Sequence, residues 1–177
     1  MRHISRIILH ATAGWPHQTV KSIQDHWRNN LGWKSPGYHK LIPTDGNIHN
    51  LAKLSQVTNG VAGYNSDSVH ISYIGGLKEV TKEGKYIYGD TRTKEQKEAF
   101  YTAIKEVLDE LKQYQEIDDI VICGHRDLSP DLNNDGKIEE REWIKVCPTF
   151  NAMDFEEYGW IMGTKALKRV AKGRKYY

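Results

Sequence analysis

Cysteine is scarce in this chain. Two residues, Cys123 and Cys147, stand among 177, too few for the disulfide framework of a small secreted scaffold. They allow one bridge at most, and that bridge would compete with a metal-ligating role for Cys147. Neither a Cys-x-x-Cys pair nor a His-Glu-x-x-His helix occurs, so no ready-made zinc signature marks the sequence. Long apolar runs are missing as well: none approaches the roughly 20 residues that span a bilayer. The opening MRHISRIILHATAGW meets charge at Arg2 and Arg6, and its apolar run Ile7-Ile8-Leu9 is shorter than a signal-peptide core of about 7–15 residues. The expectation is synthesis in the cytoplasm without a signal peptide, and no membrane partner. Internal repeats and low-complexity linkers are also lacking, which argues for a single domain over 1–177.

What is present is ordinary in bulk, with 38% hydrophobic and 27% charged residues. The net charge of +2 hides an asymmetry. The segment 158–177 carries Lys165, Lys168, Arg169, Lys172, Arg174 and Lys175 and no acid, so the remainder is net acidic. Such a basic tail suits a polyanionic partner, or is simply a solvated end. Nucleic acid is excluded as the partner because no base-reading helix or stacking motif accompanies the charge.

Periodicity outlines the elements. ISRIILHA at 4–11 reads as a buried strand, and Val20, Ile23, Trp27 and Leu31 as one face of a helix capped by Thr19 and stopped by Gly32. Segments 38–43 and 48–52 flank Asp45-Gly46, a hairpin signal. SVHISYI at 68–74 alternates as a strand. Thr93 and Gln96 make a capping box for a helix over 93–114, with Phe100, Ile104, Val107, Leu108 and Leu111 on its inner face. A short strand at 117–123 follows. Strands interleaved with helices, plus one hairpin, predict an α/β domain with a central mixed β-sheet flanked by helices.

His10 and His125 each follow a β-branched apolar run, and Cys147 lies in a Lys-Val-Cys-Pro turn. Functional groups gather where strands leave an open α/β sheet. Two imidazoles and a thiolate make a three-ligand zinc site with an open fourth position, the pattern of catalytic rather than structural zinc. The plainer alternative is a strand-end histidine satisfied by hydrogen bonds.

Between His125 and Cys147 runs DLNNDGKIEERE. With Asp131 as position one, Asn133, Asp135, Gly136, Lys137 and Glu142 take positions three, five, six, seven and twelve of the calcium-loop pattern D-x-[DN]-x-[DN]-G-x5-E. Lys137 would contribute only its backbone carbonyl. Ser129-Pro130 excludes an entering helix, so the expectation is a half EF-hand-like insertion at 131–142 binding a structural calcium ion. The alternative is an Asx-rich turn before a short helix, EEREWIKV, that carries Lys145.

IILHATAGW, GWKSPGYHKLI, NSDSVHISYIGG, GHRDLSP and KVCPTFN, in that order, resemble the zinc-dependent N-acetylmuramoyl-L-alanine amidases of the phage-lysozyme and peptidoglycan-recognition-protein type. The resemblance covers about residues 4–155. It implies that fold, and hydrolysis of the amide between N-acetylmuramic acid and L-alanine in peptidoglycan. It places the zinc ligands on His10, His125 and Cys147, the active-site tyrosine on Tyr38 and the catalytic lysine on Lys145. Some relatives have a histidine before Gly-Tyr-Asn, where this chain has Gly60, and others a glutamate in the middle strand, where Ser72 stands.

The alternative within the resemblance is a non-catalytic peptidoglycan-recognition module. Such relatives typically lack the cysteine ligand. The implied setting is a phage or prophage endolysin, a monomer acting on the cell wall after release or export, with peptidoglycan or a muropeptide as substrate. His70 is expected on the surface, His39 in packing, and Asp127 either orienting a histidine or capping its turn. Trp15, Trp33, Tyr64 and Tyr73 are candidates to line a groove, although core packing is the commoner fate of aromatics.

Overall fold

β-Branched Ile7 and Ile8 with Leu9 build β1 (Arg6–Ala11), a strand buried along nearly all its length. The computed structural model of the protein describes residues 2–152. The basic segment 158–177 therefore lies outside the described residues, as does the end of the expected core. After β1 come α1 (Val20–Asp25), capped by Thr19, and a π-helical turn over His26–Asn30. The helix expected from Thr19 to Leu31 is thus a short α-helix that widens at its end, and Gly32 in the left-handed region (φ 65°) turns the chain out of it. β2 (Lys40–Ile42) and β3 (His49–Asn50) form the expected antiparallel pair around Asp45-Gly46.

Next are β4 (Ser68–Tyr73), β5 (Leu77–Val80), β6 (Tyr86–Tyr88), α2 (Lys94–Leu111) and β7 (Val121–Gly124). The main sheet has five strands in the order β3-β2-β4-β1-β7, and β5 and β6 pair separately. β1 runs parallel to both β4 and β7, while β2 is antiparallel only to β3. The sheet is mixed, as expected. The β5–β6 hairpin was not legible, because Lys78, Glu79, Lys82, Glu83 and Lys85 mask its pattern.

The two faces of β1 and β4 have different work. Ile7, Leu9 and Ala11, with Val69, Ile71 and Tyr73, pack against the inner face of α2 around Phe100, Ile104 and Leu111. Phe100 is fully buried and its ring meets Tyr73 edge-on, a burial that contributes about 1.5–3 kcal/mol. Thr93 and Gln96 form the capping box, and the Gln96 amide also donates to the carbonyls of Ile42 and Ile74, tying α2 to the sheet. The opposite face presents Ile8, His10, His70 and Ser72, and the candidate site is built on it.

Candidate metal centre

Register brings the candidate ligands together. In the parallel ladders His10 stands beside Ser72, and Leu9 beside Gly124, so His10 and His125 emerge at the same sheet edge. Their rings lie edge to face with centroids 5.1 Å apart. Cys147 returns to the same spot: its Sγ accepts a hydrogen bond from the Ala11 amide at 3.3 Å and lies 3.5 Å from His10 Nδ1. The Arg126 amide donates to the Cys147 carbonyl at 2.5 Å, which anchors that return. Both cysteines are free and buried, so the single possible bridge is not formed.

Among the described residues, His10, His125 and Cys147 offer ligand atoms that all lie within 4.8 Å of one another. A tetrahedral zinc ion with the usual Zn–N and Zn–S lengths needs edges of about 3.3–3.6 Å between its ligands. The 3.5 Å from His10 Nδ1 to Cys147 Sγ matches that edge. Protonation fits as well. Burial, reinforced by the Lys145 charge, lowers His125 to about 4. Burial and the neighbouring histidines hold His10 well below its ordinary value. Both imidazoles are therefore neutral at pH 7, with a lone pair free. Burial raises the Cys147 thiol to about 12 against the opposing pull of the Ala11 amide, Lys145 and Arg126. A divalent cation reverses that last balance, since a coordinating thiol is deprotonated outright. The donor set suits zinc.

His70 is not at the surface. It is completely buried, and its Nδ1 lies 3.0 Å from His10 Nε2. That contact occupies Nε2 and leaves Nδ1 of His10 to face the cluster. The His70 amide in turn donates to His39 Nδ1, and the two rings stack. His39 packs as expected. Alternation misplaced His70 because β4 lies in mid-sheet, where both faces are covered. The available signal was its flanks: Ser68 and Ser72 are small polar residues, not the charged ones of a solvated face. The ring also fills the space beside position 60, where a Cβ on Gly60 would come within 2.3 Å of His70 Nδ1.

The cluster opens into a cleft of about 580 Å³ lined by Trp33, Tyr38, Tyr64, His125, Lys145 and Cys147, among others. A larger hollow near Lys40 and Glu106 holds no comparable ligand set. Trp33 and Tyr64 thus reach the cleft. Tyr73 does not: it is wholly buried against Phe100 and Phe150. Tyr38 sits with its ring 4.9 Å from that of His10 and edge-on to Trp27. Burial and the nearby Cys147 push its phenol above the ordinary value, against the pull of a hydrogen bond with Ser72. Lys145 is exposed at the rim. Asp127 caps its own turn, accepting the Gly124 amide at 2.6 Å.

Residues 1–142 match the model of the family described as N-acetylmuramoyl-L-alanine amidase. The chain belongs to that amidase family. The match ends before Lys145 and Cys147, so it is the fold that brings Cys147 beside His10 and His125. An endolysin of Klebsiella phage KP32 is 29% identical over 155 residues, covering 83% of this chain and 82% of its own. An uncharacterized protein of Haemophilus influenzae is 38% identical over 108 residues, 60% of this chain and 83% of that one. In fold, the amidase LysC of Clostridium intestinale aligns with a TM-score of 0.64 at 20% identity, over 93% of this chain and 88% of its own. The bumblebee recognition protein PGRP-SA aligns at 0.62 and 19% identity, over 86% and 80%.

The loop following Ser129-Pro130 departs from an EF-hand in its flanks. No α-helix enters it: a 3-10 turn over His125–Leu128 ends before Ser129-Pro130, and only a 3-10 turn over Glu140–Glu142 leaves it. The short helix expected to carry Lys145 is not formed: Lys145 lies in irregular chain beyond that turn. Asn133, Asp135 and Lys137 are exposed, whereas Asp131 and Glu142 are buried.

Proposed function

We propose that this protein hydrolyses the amide between N-acetylmuramic acid and L-alanine in peptidoglycan as a zinc enzyme, with His10, His125 and Cys147 as ligands. The observation that carries the reading is the convergence of two neutral imidazoles and a thiol beside a cleft lined by Tyr38, His125, Lys145 and Cys147. Zinc held there supplies a Lewis acid and a water acidified to a pKa of about 7. Hydrolysis adds the water oxygen to the lactyl carbonyl carbon, breaks the C–N bond and returns a proton to the alanine nitrogen.

This chain's own groups serve that sequence at defined places. The Lys145 ammonium stabilises the negative charge that builds on the carbonyl oxygen, a contribution of about 3–4 kcal/mol for one such donor. Tyr38 keeps its proton at neutral pH, so it acts as a hydrogen-bond donor and not as a base. His70 holds His10 in the ring orientation that presents Nδ1. Trp33 and Tyr64 offer flat apolar walls for sugar or peptide. The phage endolysin similarity over most of the chain supports a lytic role at the cell wall.

Mass spectrometry of digested peptidoglycan tests the reading. Release of stem peptides with a free alanine amine is the expected result, and Cys147→Ser should abolish it while leaving the circular-dichroism spectrum unchanged. Intact muropeptide bound by the wild-type protein would instead identify a recognition module. Full activity in Cys147→Ser would remove the zinc assignment.

A further inference from the structure

The insertion between His125 and Cys147 is closed at its base. Ser129 Oγ accepts the Ile144 amide at 3.1 Å, and the Arg126 guanidinium lies over the Trp143 ring at 4.1 Å. Within that closed excursion two carboxylates are taken out of water: Asp131 is 9% exposed and Glu142 is 4% exposed. Among the described residues, neither is paired with a lysine, arginine or histidine. Asp131 Oδ2 accepts the Gly136 amide at 2.9 Å, but its twin Oδ1 is buried with no hydrogen-bond partner. A buried anionic oxygen left without a donor is costly, and such an atom calls for an ion or water to satisfy it.

We propose that this oxygen is one ligand of a calcium site formed by Asp131, Asn133, Asp135, the Lys137 carbonyl and Glu142. Gly136 takes the left-handed conformation (φ 84°) that the sharp turn at position six demands. Glu142 folds back across the loop: Oε1 accepts the Leu132 amide at 2.8 Å and Oε2 the Glu139 amide at 2.9 Å. Oε1 also accepts the Asn133 amide at 3.3 Å, but Glu142 Oε2 and Asp131 Oδ2 each keep a second lone pair and Asp131 Oδ1 is unengaged, which leaves capacity for a cation. Only oxygen donors are offered, which selects a hard cation over zinc, and the number of them exceeds what magnesium usually takes from protein.

The loop leads directly from Glu142 through Trp143 and Ile144 to Lys145 and Cys147. An ion clamped between Asp131 and Glu142 therefore ties the segment carrying Lys145 and Cys147 to the one carrying His125. Binding rests on the loop alone; its effect on catalysis rests in addition on the amidase reading, and the two are separable by experiment.

Calorimetric titration of the zinc-loaded protein with calcium chloride reads binding without activity. One ion per chain is expected, with Kd on the order of 10⁻⁴–10⁻³ M for a single unpaired loop. About 10 mM calcium should raise Tm by roughly 3–10 °C. Glu142→Gln should weaken binding at least about tenfold. Asp135→Ala, which removes a ligand oxygen at an exposed position, should do the same without touching a buried group, so the test survives if the first variant folds poorly. Absence of calcium binding up to about 10 mM, unchanged affinity in Asp135→Ala, or equal affinity for magnesium overturns the proposal.

Discussion

Replacing His70 with alanine isolates the one buried contact that sets the face His10 shows to the cluster. His70 Nδ1 lies 3.0 Å from His10 Nε2, and among the described residues no second hydrogen bond to that nitrogen is formed. Removing a partner that orients a metal-bound imidazole typically costs 10–100-fold in metal affinity, or about 1.4–2.7 kcal/mol. The metal-free protein should lose a further ~1–3 kcal/mol, because a buried ring nitrogen is left unsatisfied. Zinc affinity by chelator competition measures the first effect, and denaturant unfolding of the metal-free protein the second.

A double-mutant cycle then separates contact from general damage. Gly60→Ala alone should destabilise, since its Cβ would stand 2.3 Å from the His70 ring. In the His70→Ala background the same methyl enters space the ring has vacated, so the two effects should not add. Zinc affinity within twofold of wild type in His70→Ala would refute the positioning role, and strict additivity would refute the packing argument.

Lys145→Ala should lower kcat by about 10²–10³-fold through loss of one donor to the developing oxyanion. Zinc content should stay unchanged, as measured by atomic absorption on the purified variant. Acid should destabilise the metal-free protein in a defined window. Burial lowers His39 to about 4, so its contribution is complete above the unfolded value near 6.5 and is lost as pH falls from there toward 4. That loss is on the order of 3 kcal/mol from this residue, with His125 adding in the same direction. Urea unfolding midpoints at pH 7, 5.5 and 4.5 check the slope, and a flat profile would contradict it.

Much of the fold was legible because local patterns survive in it. The apolar face of α2 and its Thr93–Gln96 box are both formed as the spacing predicts. So is the β2–β3 pair around Asp45-Gly46. His10 and His125 could be nominated because each ends a β-branched run, and in an open α/β sheet that is where side chains reach a ligand. Cys147 was readable from its turn and from the family resemblance. The β5–β6 hairpin escaped because it is mostly exposed and charged, so no burial imposes a period on it.

What the sequence by itself determined is the set of parts: which segments become strands or helices, and which residue types can hold a metal. Tertiary structure alone decided that residues more than a hundred positions apart meet, because β1 pairs in parallel with β4 and β7 in one particular register. It also decided that His70 is interior. A strand's alternation tells its two faces apart but not which of them is dry, and that depends on what the rest of the chain lays over the sheet.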